Sequence, residues 1–230
     1  ALIPALAELL EKPRRGWDMH LTLVRNEHAY FCDVVQLMAS VPDPFPAAAD
    51  VTIYAAGDSH SLSAGWQVLD WAGRRAVLIP KLVTGLKCWH LRPESTFYPK
   101  HNFYSVIDSI PRGSYVLFLF GEIDCREGIL LAVEKGRYQD VEEGVSLTLD
   151  HYLSVLLTLA RERQFRILVQ PVAPVLNETR RMVVLFNTML KERVLAAAPA
   201  LRFLDILPGL LKAPPARGRG SAATCGCRRG

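Results

Sequence analysis

The stretch "VTIYAAGDSHSLSAGW", residues 51–66, decides how the rest of the chain is read. A β-branched apolar run, 51–56, stops at Gly57-Asp58-Ser59-His60-Ser61. Such a run bounded by a turn signal predicts a buried strand. Gly57 permits a sharp turn at its end. Asp58 and Ser59 then stand where a helix would begin, so either could simply cap it. The same placement also exposes a Ser hydroxyl near free backbone N–H groups, where an acyl-transfer nucleophile would sit. His60 directly follows Ser59 in sequence, which places it badly to take that proton. Asp58-x-His60 is also how a metal site can begin, since Asp and His are suitable ligands.

Working outward, further apolar runs end near 79, at 114–120 ("SYVLFLF"), 166–170 ("RILVQ") and 202–206 ("RFLDI"). Helical periodicity separates them: about 62–70, 102–110, 126–163 with a break near Gly136, and 178–197. A loop is expected from about 81 to 101. Four core strands alternating with helices predict an α/β domain with a mostly parallel sheet covered on both faces. Ligands in such folds sit at the carboxyl ends of the strands. The expected organisation is a helical extension with a Pro-rich connector at 1–46, a domain at 47–212, and a disordered or aberrant tail at 213–230.

Composition narrows the function classes. The chain is 50% hydrophobic and 22% charged, which supports a substantial core. Its formal charge of +4 comes from the tail, where Arg217, Arg219, Arg228 and Arg229 face no acid. The body is formally neutral, so a nucleic-acid partner is not expected. No apolar run is long enough for a membrane span. The five cysteines are odd in number and Cys32, Cys88 and Cys125 are scattered. They fit a reduced chain and lean toward a cytoplasmic setting without deciding it. Cys225 and Cys227 form one C-x-C pair, a weak zinc signal.

Gly57-Asp58-Ser59 on the first core strand resembles block I of the SGNH (GDSL-type) hydrolase superfamily. The likeness extends over roughly 51–206. It implies a flavodoxin-like three-layer α/β/α fold and an ester hydrolase or acyl transferase with Ser59 as nucleophile. Gly85 in "LVTGLKCWHLRP" stands where the family's second block supplies an oxyanion N–H. Gly121-Glu122-Ile123-Asp124 matches the third block, Gly-x-Asn-Asp, at Gly121 and Asp124. The pairing GDSH…GEIDCR is similar to one variety within the superfamily, often near carbohydrate-modifying proteins.

Two departures weaken catalysis. Ile123 replaces the Asn that would donate to the oxyanion, and its side chain cannot donate. No Asp-x-x-His follows the last strand: after Asp205 the sequence runs into a tail in which fourteen of eighteen residues are Ala, Gly, Arg or Pro. That tail reads as an out-of-frame or intron-derived translation; the alternative is a protein without its base. His90 and His101 are candidate substitute bases. Asp124 and Arg126 are expected to shape the pocket or orient substrate, and Asp58 to order the turn.

The expected activity is therefore ester hydrolysis or acyl transfer on a small-molecule or glycan ester, with impaired or no turnover, and no cofactor or metal. One alternative is a non-catalytic glycan- or protein-binding module, in which the aromatic and basic loop 87–104 lines a sugar or carboxylate crevice. The other is a metallophosphoesterase, for which the further Gly-Asp-x-x-Asp and Asn-His-Glu signatures are missing.

Overall fold

A computed structural model describes residues 49–173 and 177–211. The expected N-terminal helices and connector, the tail, and Cys32, Cys225, Cys227, His20 and His28 lie outside the described residues. The fold is mixed α/β, built on one six-stranded, mostly parallel sheet in the order β2-β3-β1-β4-β5-β6. The strands are β1 (Val51–Gly57), β2 (Val68–Trp71), β3 (Arg74–Leu82), β4 (Tyr115–Leu119), β5 (Arg166–Val169) and β6 (Leu201–Phe203). The helices are α1 (Tyr98–Asp108), α2 (Ile129–Glu134), α3 (Val141–Glu162), α4 (Arg180–Ala196) and α5 (Leu207–Leu211).

Alternate residues of the central strands serve two cores. Ala56, Val116, Phe118, Ile167 and Val169 face α1, α3 and α4 through Phe103, Ile107, Leu149, Tyr152, Leu156, Phe186 and Leu190. Val51, Ile53, Ala55, Ala76, Leu78, Leu117 and Leu168 are buried on the opposite face. Burial on both faces explains the unbroken apolar runs and is consistent with a three-layer α/β/α architecture. No helix among the described residues is long and apolar enough to cross a membrane.

The sequence-based helix over 62–70 is replaced by a short 3₁₀ turn, Ser59–Ala64, followed by β2. The apolar run ending near 79 forms a full strand, β3, paired to β1, and β2 pairs antiparallel with β3 at the sheet edge, so the sheet has six strands rather than four. The hairpin turn was hidden because Ala72 and Gly73 hold its two central positions, at φ 54° and 75°. Alanine seldom adopts that conformation and gives no turn signal. The side chain of Asp70 supplies the missing cue, accepting the Gly73 N–H at 2.9 Å. The loop expected over 81–101 is shorter than its prediction, because β3 runs to Leu82 and α1 begins at Tyr98 with Pro99 in its first turn.

Topology positions the site. From β1 the chain turns outward through the β2–β3 hairpin, then crosses to β4 on the other side of β1. The loops leaving β1 and β4 therefore diverge at the sheet's centre, which makes their carboxyl ends the switch-point crevice.

Candidate active site

Two glycines let the strand ends close on each other. A Cβ on Gly57 would lie 2.7 Å from the Leu119 carbonyl oxygen and 2.9 Å from Ser61 Cβ. Gly121, just past β4, has φ +117°, and a Cβ there would lie 2.6 Å from the Phe186 ring. Neither position admits another residue without displacing a neighbour.

Asp58 is buried and caps the Ser59–Ala64 turn, its Oδ1 accepting the His60 N–H at 2.9 Å. The same Oδ1 holds His60 Nδ1 at 2.8 Å. Ser61 fastens the turn from below, donating both its hydroxyl (2.8 Å) and its N–H (3.0 Å) to the Asp58 carbonyl. Ser59 opens the turn, half-buried, and its hydroxyl makes no hydrogen bond to a described residue. The hydrogen bond to Asp58 raises the His60 pKa above its ordinary value, with the Asp58 and Glu122 charges adding to it against burial and Arg126.

Glu122 enters from the β4 loop. Its Oε1 lies 3.4 Å from Arg126, while its Oε2 is buried without a hydrogen-bond partner. Burial raises the Glu122 pKa, opposed by Arg126 and His60. One ligand atom each from Asp58, His60 and Glu122 falls within 4.8 Å of the others, so these three are the described residues that could hold a divalent cation. With Arg126 counted and His60 protonated, the cluster also closes on itself as two opposed ion pairs.

The remaining expected site residues take different places. Gly85 sits in an exposed turn after β3 at φ +73°, with open space around it. Asp124 does not present a free carboxylate. It is fully buried, and its oxygens accept the backbone N–H groups of Cys88 (2.7 Å) and Trp89 (3.2 Å). Burial lifts its pKa to about 6, partly offset by those two bonds. Asp124 thus ties the β4 loop to the 3₁₀ turn Cys88–Leu91. Arg126 is half-exposed between Glu122 and Glu127.

Neither substitute base hydrogen-bonds to the Ser59 hydroxyl. His90 Nδ1 accepts the Lys87 N–H at 3.1 Å, and its ring lies tilted against Phe97 with centroids 4.5 Å apart. Burial, helped by Lys87 and Arg92, lowers its pKa to about 4. His101 is exposed on α1 and hydrogen-bonds to no described residue.

No family model, curated protein or solved structure matches this chain.

The Asp58-x-His60 spacing marks the first half of this cluster in the sequence: His60 is badly placed to serve Ser59, yet it reaches back two residues to the cap. Glu122 belongs to a charged stretch at a strand end, and the pairing of β1 with β4 brings it beside Asp58.

Proposed function

We propose that this chain is an SGNH-type ester hydrolase or acyl transferase whose nucleophile is Ser59, with impaired turnover. One observation carries the reading: Ser59 opens the turn at the carboxyl end of a central strand, at the switch point, with its hydroxyl uncommitted to any described residue. Attack by Oγ on an ester carbonyl would form an acyl-serine and release the alcohol; water or an acceptor hydroxyl would then take the acyl group. The Ser59 proton needs an acceptor, and no described imidazole is hydrogen-bonded to it. Turnover is accordingly slow, and small-molecule or glycan esters are the substrate class.

The test is covalent labelling by a fluorophosphonate, read by mass spectrometry, beside hydrolysis of aryl and acetyl esters. Label on Ser59, and loss of both signals in Ser59→Ala, support the reading; added imidazole should speed wild type only. Equal labelling and hydrolysis in Ser59→Ala would sink it.

The 4.8 Å grouping of Asp58, His60 and Glu122 favours one second reading, metal-assisted hydrolysis. In that case activity survives Ser59→Ala, is lost with a chelator, and is lost in Glu122→Gln.

A further inference from the structure

A cavity of about 180 Å³ lies between the Cys88–Leu91 turn, the Asp124–Gly128 turn, α2 and α3. Its walls are apolar: Trp89, Ile129, Leu131, Ala132 and Tyr138. The Trp89 ring is held from three sides, by Tyr138 at 5.6 Å, His151 at 5.5 Å and the Arg92 guanidinium at 4.3 Å. It is therefore a fixed surface rather than a swinging side chain.

Around this apolar space stand Lys87, Lys135 and Arg137. None of the three is ion-paired with a described residue. The one acid in the lining, Asp124, is buried and spends its oxygens on Cys88 and Trp89. A second observation points inward. Thr148 Oγ1, on α3, belongs to a residue only 1% exposed and makes no well-formed hydrogen bond; burial raises the pKa of the neighbouring Tyr138, and a weak contact with Thr148 only opposes that rise. A buried hydroxyl left unpaired costs stability unless something answers it.

We propose that this cavity binds a small aromatic carboxylate. The volume slightly exceeds the roughly 150 Å³ of an apolar cavity that accepts benzene, so one six-membered ring fits. Trp89 and Tyr138 offer it edge or face contacts. The three cations answer the carboxylate, and Thr148 supplies one polar contact. A sugar acid of similar size carries several hydroxyls that these walls cannot satisfy, and burying them unpaired is unfavourable. The site shares no residue with Ser59, so it stands or falls separately from the nucleophile.

The experiment is calorimetric titration of the full chain with benzoate, benzyl alcohol and glucuronate at low and high salt. Benzoate should bind at least about tenfold more tightly than benzyl alcohol at low salt, and the preference should shrink at high salt as the exposed cations are screened. Lys87→Met, Lys135→Met and Arg137→Met combined should erase the preference while leaving weak binding of the ring. Ala132→Trp should abolish binding of both ring compounds, with circular dichroism confirming the fold, and Ser59→Ala should bind as wild type. The proposal is overturned if benzyl alcohol matches benzoate, if glucuronate binds more tightly than benzoate, if the cation and Ala132 variants bind benzoate unchanged, or if no ring compound binds at millimolar concentration.

Discussion

Asp124→Ala tests how the β4 loop holds the turn that carries Trp89 and His90. The side chain accepts two backbone N–H groups, at 2.7 and 3.2 Å, in a fully buried place. Leaving two such donors unpaired costs about 1–3 kcal/mol each. Opposed to this is the cost of the buried charge. A carboxyl lifted from 3.8 to about 6 has an ionised form on the order of 3 kcal/mol less favourable in the fold than in the unfolded chain. The sign follows from proton uptake. Between those two values the folded protein holds the proton and the unfolded chain does not, so stability is full below about pH 4 and falls as pH rises through about 6. Alanine removes that slope. The wild type should therefore exceed the variant by several kcal/mol near pH 4, and the gap should narrow by on the order of 3 kcal/mol by pH 7. Urea unfolding of both proteins at pH 4, 5.5 and 7 measures the gap, and titrations common to both cancel. A constant gap would refute the reasoning. A gap that widens with pH would show that the two N–H bonds outweigh burial and hold the pKa below 3.8.

Three further perturbations follow from single features. Tyr152 is fully buried and its hydroxyl has no partner, so Tyr152→Phe should raise stability by about 1 kcal/mol in chemical denaturation; a loss would reveal a bond to that oxygen. Ala72 occupies φ +54° in the hairpin turn, so Ala72→Gly should stabilise by about 1 kcal/mol, read as a higher denaturation midpoint, because the strain removed exceeds the added chain entropy. Asn187 both accepts the Val172 N–H (2.8 Å) and donates to the Val172 carbonyl (2.9 Å), holding the loop after β5 to α4. Asn187→Ala should lower stability by about 2–4 kcal/mol, and faster amide exchange at Val172 should accompany it.

The sequence by itself determined what depends on local composition. Apolar β-branched runs at 51–56, 114–120 and 166–170 cannot be satisfied except as strands buried on both faces, and each became one. The periodicity within 126–163 and 178–197 calls for helices, and α3 and α4 lie inside those ranges; Gly57 with Asp58 calls for a turn capped by Asp58. The edge strand β2 escaped because its turn rests on Ala72 in a left-handed conformation that no local rule favours. Tertiary structure alone decided which charges meet. Pairing β1 with β4 brings Glu122 to Asp58 and His60, residues more than sixty positions away in the chain. Burial, not spacing, commits the Asp124 carboxylate to two backbone N–H groups of a turn more than thirty positions away. The unpaired cations around Trp89 and Tyr138 likewise come from two separate segments, Lys87 before the Cys88–Leu91 turn and Lys135 with Arg137 after α2. Side chains respond to the field and solvent of the finished fold, and no local pattern encodes either.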